Sequence, residues 1–237
     1  MVNAQPPLDV QAIRAQLEKI LDATDAEARV VGNAKFGVYA FYDYDGEPIY
    51  VGQTTERLRT RIRRHLTNQR TDAVAMNVLD PFEVCDIEMW PFFDLEGKPG
   101  NDFDAIKKLN SAEHTVFRKV LSESTFQAVL NEADIPGEET IDLPQSLRGR
   151  IVPDDLYEIR RHPDVRIARR ANTIANLAKV ISERSVSKGL RRTLVTQARR
   201  LERLSRERLA ESGEDYPVER PGEETGSEPK PPAGEQV

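Results

Sequence analysis

The chain has 237 residues, of which 38% are hydrophobic and 31% are charged, and its formal net charge is −6 at pH 7. This length allows one large domain or two small ones with a real core, but so many charged residues require that part of the chain lies outside any core. The sequence contains no apolar run of about eighteen residues and no secretory signal pattern, and its single Cys85 excludes an internal disulfide or a cysteine zinc site. We therefore expect a cytoplasmic protein without a membrane span.

The N-terminal region predicts an amphipathic helix over Leu8–Ala23. Its apolar residues recur at helical spacing, and Asp9 is placed to cap the first turn. We interpret this helix as a structural element that packs on the core.

A β-hairpin is predicted next, because Asp45-Gly46 is a dipeptide favoured in two-residue type I′ turns, in which both central residues have positive φ. This turn sets Phe41 opposite Tyr50 and Tyr39 opposite Gly52. Side chains alternate across a strand, so these four residues share one face. The other face is mostly apolar and consists of Val38, Ala40, Tyr42, Ile49 and Val51.

A basic helix over Thr55–Gln69 follows the hairpin. Arg61 lies on the flank of its apolar stripe, one turn before His65, and both side chains lean back toward the strands. The remaining arginines of this helix are predicted to face solvent. The stripe consists of Leu58, Ile62, His65 and Leu66, and the solvent-facing set of Arg57, Arg59, Arg63 and Arg64.

A third strand is predicted within Phe82–Phe93, followed by a helix that Asp102 caps and that runs to about Leu121. Glu113 lies within the apolar stripe of this helix, which Ile106, Leu109, Val116, Phe117 and Val120 form. A carboxylate among apolar neighbours is costly unless it is paired or holds a cation. Two alternatives to a bound cation stay open from the pattern alone: the Glu113 carboxylate reaches solvent at the rim of the stripe, or it binds a core arginine.

Two triplets eleven residues apart carry a resemblance to a known family. Gly37-Val38-Tyr39 and Tyr50-Val51-Gly52 resemble the two half-motifs of the GIY-YIG nucleases. Arg61 matches the arginine of the family helix, and His65 matches the histidine that its restriction-enzyme branch adds one turn later. Ala112-Glu113 resembles the Ala-Glu pair of a later family helix, and Asn131 the buried asparagine that follows it. The resemblance covers about residues 36–135.

The resemblance implies a fold, a site and a metal. The fold is of the α+β class: a small core with a three-stranded antiparallel sheet flanked by helices, plus a C-terminal α-helical region. The site would hold one Mg²⁺ or Mn²⁺ on Glu113, with no other cofactor, and Tyr39 would orient or deprotonate the attacking water. The implied site residues are Tyr39, Tyr50, Arg61, His65, Glu113 and Asn131.

The other implied roles follow from phosphodiester chemistry. A tyrosine whose pKa is near 10 is a poor base at neutral pH, so His65 would accept its proton and Tyr50 would complete the hydrogen-bond chain. Arg61 would stabilise the charge that develops on the phosphate. Asn131 would brace the site rather than perform chemistry.

The C-terminal part of the chain is basic and helical. Residues 144–211 contain 17 Lys and Arg against 8 Asp and Glu, so a basic surface is compatible with the acidic overall charge. Helices are predicted over residues 153–161, 163–184 and 187–211, the last two as an antiparallel pair. Their arginines would either contact DNA phosphates or solubilise the pair.

The domain organisation follows from these segments. We expect an N-terminal helical extension over residues 1–33, a nuclease core over 34–142, the basic helical region over 143–212, and a disordered acidic tail over 213–237.

The function that we favour is a Mg²⁺-dependent, site-specific DNA endonuclease of restriction type that hydrolyses phosphodiester bonds in double-stranded DNA. It would be a homodimer, because one site cuts one strand and palindromic targets match two-fold symmetry. Two alternatives remain: a repair or mobile-element nuclease of the same family, and a non-catalytic DNA-binding protein.

Overall fold

The computed structural model describes residues 5–66, 80–131, 135 and 137–214. Four antiparallel strands form one sheet in the order β2-β1-β3-β4, and six α-helices lie within the described ranges, which confirms the α+β class. The strands are β1 (Gly37–Tyr42), β2 (Pro48–Thr54), β3 (Asp86–Pro91) and β4 (Leu147–Arg150). The helices are α1 (Leu8–Leu21), α2 (Leu58–Leu66), α3 (Phe103–Glu123), α4 (Asp154–Arg161), α5 (Pro163–Glu183) and α6 (Lys188–Ala210). None of the described helices is long and apolar enough to cross a bilayer.

Two predicted features lie partly or almost wholly outside the described residues. The last three residues of the basic helix, 67–69, belong to the undescribed segment 67–79, and the acidic tail is described only at residues 213–214. At the N-terminus, Pro7 rather than Asp9 occupies the cap position of α1.

The predicted three-stranded sheet is wrong by one strand. β4 pairs with β3 in an antiparallel register that sets Met89 opposite Leu147 and Ile87 opposite Gly149. Its sequence, Leu-Arg-Gly-Arg, lacks the β-branched and aromatic residues that mark a strand, so its conformation depends on its neighbour. β4 also lies close to α1, since a Cβ on Gly149 would lie 3.1 Å from the side chain of Ile20. The first part of the predicted C-terminal helical region therefore belongs to the core sheet.

The predicted type I′ turn is also wrong. Gly46 alone in the loop has a positive φ, of 75°, and Asp43 pairs with Glu47, so the loop has three residues. A bulge then restores the predicted register, with Phe41 opposite Tyr50. The same bulge moves Ile49 onto the face of the sheet that carries Tyr39, where it packs in the same cluster.

The two faces of the sheet carry different helices. α3 packs against the face with Val38, Ala40 and Val51. α1 and α2 cover the face with Tyr39 and Phe41. The stripe predicted for α2 is confirmed, since Leu58, Ile62 and His65 are buried and Leu66 packs beside them. In α3, Asp102 caps the first turn as predicted, but Ile106 is exposed rather than buried.

The predicted antiparallel pair of C-terminal helices is confirmed as α5 and α6. Asp164 at the start of α5 pairs with Arg208 at the end of α6, while Val180 and Leu190 pack together at the other end of the pair. The two helices of the pair therefore run in opposite directions.

Three arginines of this pair are buried against the tip of the β-hairpin. Arg170 donates to Asp43 Oδ2 at 2.8 Å, and Arg166 forms a bidentate pair with Asp45 at 2.7 and 2.5 Å. Arg200, which is 1% exposed, donates to the carbonyl of Pro48 at 3.1 Å. These three arginines thus serve neither of the predicted uses, because they bind inside the molecule. Breaking such a buried pair costs about 3–5 kcal/mol, so the cluster fixes α5 and α6 to the loop that joins β1 and β2.

Candidate active site

Three predicted site residues are joined by hydrogen bonds at the face covered by α2. The hydroxyl oxygen of Tyr39 lies 2.9 Å from His65 Nε2 and accepts a bond from Arg61 Nε at 3.3 Å. Arg61 can only donate to this oxygen, and the donor and acceptor roles of the Tyr39 hydroxyl and His65 Nε2 depend on the tautomer of the imidazole. Arg61 and His65 lie one turn apart on α2, so a single helix presents both side chains to β1.

Tyr39 and Tyr50 differ in their access to solvent. Tyr39 is fully buried and Tyr50 is half-buried, and their ring centroids are 6.0 Å apart. Burial raises the pKa of Tyr39 well above its ordinary value, the Tyr50 hydroxyl raises it further, and Arg61 opposes the rise in part. Tyr39 therefore carries its proton at neutral pH and shares a hydrogen bond with His65 Nε2, while Tyr50 is the hydroxyl closer to solvent.

The glycine of the second triplet permits this approach of the tyrosines. A Cβ on Gly52 would lie 2.6 Å from a ring carbon of Tyr50 and 2.8 Å from the Tyr39 hydroxyl oxygen, distances that real Cβ atoms do not show. The glycine of the first triplet has a parallel role, since a Cβ on Gly37 would lie 2.8 Å from the side chain of Leu58. Both glycines are required by close packing rather than by a positive φ.

Glu113 reaches the same region from α3. The backbone N–H of Gln53, the residue after Gly52, and the guanidinium of Arg61 both interact electrostatically with its carboxylate. Burial raises the pKa of Glu113 from its ordinary 4.5 to about 7, because these two contacts offset desolvation only in part. Glu113 is thus a half-buried carboxylate that is stabilised by any further cation beside it.

The donor set fits one hard divalent cation. The described part of the chain contains no group of three or more His, Cys, Asp or Glu residues that could hold a metal ion. Mg²⁺ does not need such a group, because it prefers oxygen ligands, keeps several waters and binds through one or two carboxylates plus substrate phosphate. Glu113, whose charge is incompletely compensated, is the residue here that would hold it.

Asn131 lies at the outer edge of β2 rather than beside the tyrosine hydroxyls. Its side chain accepts from the N–H of Val51 at 3.0 Å and donates to the Val51 carbonyl at 2.8 Å. The amide thereby takes the place of a neighbouring strand, next to a backbone pair between Leu130 N–H and the Ile49 carbonyl at 3.0 Å. Asn131 holds the strand segment that carries Tyr50 and Gly52.

The structure therefore groups five of the predicted residues around Tyr39 and Arg61. It places the sixth, Asn131, at the outer edge of β2. Gln53 was not predicted from the sequence: its backbone N–H interacts electrostatically with Glu113, and its side chain donates to Asn110 Oδ1 at 2.7 Å. Asn110 precedes Glu113 by about one turn on α3, so its position on the same face of the helix was a signal for this contact. The five clustered residues are Tyr39, Tyr50, Arg61, His65 and Glu113.

Comparison with protein families gives one match. Residues 35–95 match the model of the GIY-YIG catalytic domain, a nuclease family. The matched range contains both tyrosines, Arg61 and His65, and ends before Glu113 and Asn131. Comparisons with curated proteins and with solved structures found no match. Residues 35–95, about a quarter of the chain, are thus similar to the GIY-YIG catalytic domain, whose family consists of nucleases.

Proposed function

We propose that this protein is a Mg²⁺-dependent DNA endonuclease that hydrolyses phosphodiester bonds. The observation that carries the proposal is the 2.9 Å contact between the Tyr39 hydroxyl and His65 Nε2, with Arg61 donating to the same oxygen. A buried tyrosine that is hydrogen-bonded to an imidazole forms a path for a proton. A purely structural core does not need this arrangement together with the Glu113 carboxylate beside it.

The burial of Tyr39 determines how the path operates. A water that attacks phosphorus cannot reach a fully buried hydroxyl, so we place it at Tyr50, which is half-buried and interacts with Tyr39 through its hydroxyl. The water oxygen forms the new bond to phosphorus while its proton enters the Tyr50–Tyr39 chain. His65 Nε2 accepts the proton at the far end, so neither tyrosine must exist as a phenolate.

The charge that develops on the phosphate is stabilised by the other two residues, Arg61 and Glu113. Interactions with Tyr39 and Tyr50 outweigh burial and raise the pKa of Arg61, so this residue stays cationic beside the phosphate and stabilises the oxygens that gain charge. Glu113 would hold a Mg²⁺ ion, which would supply charge neutralisation at the phosphate. The leaving oxygen departs with the electron pair of its bond to phosphorus as the new bond forms, and takes a proton from solvent.

The restriction-type activity on double-stranded DNA is part of this proposal. His65 supports it, because the resemblance associates a histidine one turn after the helix arginine with that branch. A homodimer would cut both strands of a palindromic site. A repair or mobile-element nuclease is the second candidate, and it would use the same residues on a different substrate.

Cleavage of supercoiled plasmid with Mg²⁺ tests the proposal. We expect the wild-type protein to give discrete fragments, and Glu113→Ala and Tyr39→Phe to lose cleavage. Matched controls are Glu123→Ala, which changes an exposed glutamate on the same helix, and Tyr44→Phe, which removes a hydroxyl from the same hairpin outside the site.

The outcomes separate the candidates. Nicks or a smear in place of fragments would favour the repair or processing nuclease over the restriction enzyme. Full Mg²⁺-dependent cleavage by Glu113→Ala would refute the metal assignment. Salt-sensitive DNA binding without any cleavage would favour a non-catalytic DNA-binding protein.

A further inference from the structure

The two halves of α6 differ in how their charges are compensated. From Lys188 to Leu201 the helix has five basic residues and no acidic one. In the second half, Arg203 pairs with Glu207 and Arg206 with Glu202. The basic residues of the first half are Lys188, Arg191, Arg192, Arg199 and Arg200.

The first half of α6 borders an open groove of about 710 Å³. The opposite wall is formed by the C-terminal half of α3 and by the segment that leads to Asn131. No carboxylate in the described ranges pairs with Arg191 or Arg199, which are both exposed, and Val195 between them is 57% exposed. The groove thus combines uncompensated positive charge with an apolar floor. Its lining includes Phe117, Val129, Asn131, Arg191, Val195 and Arg199.

The groove and the candidate active site share two elements of the fold. Asn131, which lines the groove, binds both backbone groups of Val51 in the second triplet. Phe117, which also lines it, lies four residues after Glu113 on α3, about 6 Å along the helix axis. A polymer bound at Glu113 can therefore continue into the groove.

The arginines of the groove are held at a fixed position relative to the tyrosines. Arg200, next to Arg199, is buried and donates to the carbonyl of Pro48 at the start of β2, the strand that carries Tyr50. Arg191 and Arg199 are eight residues apart, so they lie on one face of α6 about 12 Å apart along the axis. This span corresponds to about three to four nucleotides of one DNA strand.

We propose that this groove, defined by Arg191, Val195 and Arg199 on one wall and Phe117, Val129 and Asn131 on the other, binds the sugar-phosphate backbone of the DNA substrate beside the cleaved bond. The proposal rests on the proposed nuclease function and adds where the flanking nucleotides lie. It also divides the arginines of the C-terminal pair by use: Arg166, Arg170 and Arg200 fix the pair to the hairpin, and Arg191 and Arg199 contact phosphates.

Salt-dependent DNA binding tests this assignment. The affinity of the full chain for a fluorescein-labelled duplex is measured by anisotropy in EDTA, between about 50 and 200 mM NaCl. For the double variant Arg191→Gln/Arg199→Gln we expect an affinity at least about tenfold lower at 0.1 M salt, and a log–log salt slope smaller by about 1.8, since each phosphate contact contributes about 0.9.

The control is Arg203→Gln/Arg206→Gln, which removes the same net charge from the ion-paired half of the same helix. We expect its affinity to stay within about twofold of wild type, because screened charges away from the ligand contribute little at this salt concentration. Unchanged thermal unfolding midpoints establish that both variants are folded. An equal loss of affinity in both variants would overturn the groove assignment in favour of a general charge effect.

The remaining outcomes distinguish a failure of the groove assignment from a failure of the proposed nuclease function. Wild-type affinity and salt slope in Arg191→Gln/Arg199→Gln, with plasmid cleavage intact in the wild-type protein, would overturn the groove assignment and leave the proposed function standing. A wild-type protein that neither cleaves plasmid nor binds the duplex would overturn both.

Discussion

Replacing Glu113 by Gln should stabilise the metal-free protein at alkaline pH while it abolishes cleavage. Burial raises the pKa of Glu113 from 4.5 to about 7, so ionisation of this carboxyl opposes folding. The pKa difference corresponds to an upper limit of about 3 kcal/mol, and partial exposure with solvent screening reduces the expected gain to about 1–2 kcal/mol. Gln keeps a polar oxygen at this position and has no charge to desolvate.

The pH dependence of this gain has a defined sign. The pKa is higher in the folded protein than in the unfolded chain, so the contribution of Glu113 to stability is fully present below pH 4.5 and is lost as the pH rises through 7. The difference in unfolding free energy between Glu113→Gln and wild type should therefore be near zero at about pH 4 and reach its full value above about pH 7.5. Burial also raises the pKa of Glu83 to about 7, but Glu83 is present in both proteins, so its contribution cancels in the difference in unfolding free energy.

Urea unfolding without metal across this pH range measures the difference directly. Glu123→Gln, on the exposed face of the same helix, is the matched control and should show no such change with pH. A difference that is independent of pH, or a wild-type protein that is more stable than Glu113→Gln at pH 8.5, would refute the assignment of Glu113 as an incompletely compensated carboxylate. Added Mg²⁺ should stabilise wild type and leave Glu113→Gln unchanged.

Three further changes test the packing around the site. Gly52→Ala should lower cleavage and destabilise the fold by about 1–3 kcal/mol, because the new Cβ meets the Tyr39 hydroxyl. Unchanged cleavage kinetics together with unchanged urea unfolding would contradict this contact. Asn131→Ala should cost about 1–3 kcal/mol, because both backbone groups of Val51 lose their partner, and amide hydrogen exchange should be faster there. Arg200→Met should cost about 1–3 kcal/mol in urea unfolding, because the carbonyls of Pro48 and Ala128 lose their donor, and an unchanged unfolding free energy would show that Arg200 does not fix the helices.

Most of the candidate site could be predicted from the sequence. Tyr39 opposite Gly52 follows from the alternation of a hairpin, and the positions of Arg61 and His65 follow from the periodicity of a single helix. These are local patterns, in which residues a few positions apart determine which side chains share a face. Glu113 could also be singled out locally, because a carboxylate within an apolar stripe needs a partner.

The details of the hairpin loop were decided by long-range contacts. The Asp45-Gly46 dipeptide suits a two-residue turn, yet Asp43 and Asp45 bind arginines from α5 that lie more than a hundred residues away in sequence. A three-residue loop with a bulge accompanies these contacts and keeps Phe41 opposite Tyr50. The predicted register was thus correct for the pairs Phe41–Tyr50 and Tyr39–Gly52, whereas the predicted turn and the predicted face of Ile49 were wrong.

The sequence by itself determined the hairpin register beside Tyr39, the helices and the five positions that lie together in the site. Only the tertiary structure decided that residues 147–150 form a fourth strand and that Arg166, Arg170 and Arg200 lie inside the molecule. An arginine at helical spacing looks the same in the sequence whether it faces solvent, a phosphate or a buried carboxylate. Its environment depends on which distant segment packs against it, because burial and charge compensation are properties of the folded chain and not of local sequence.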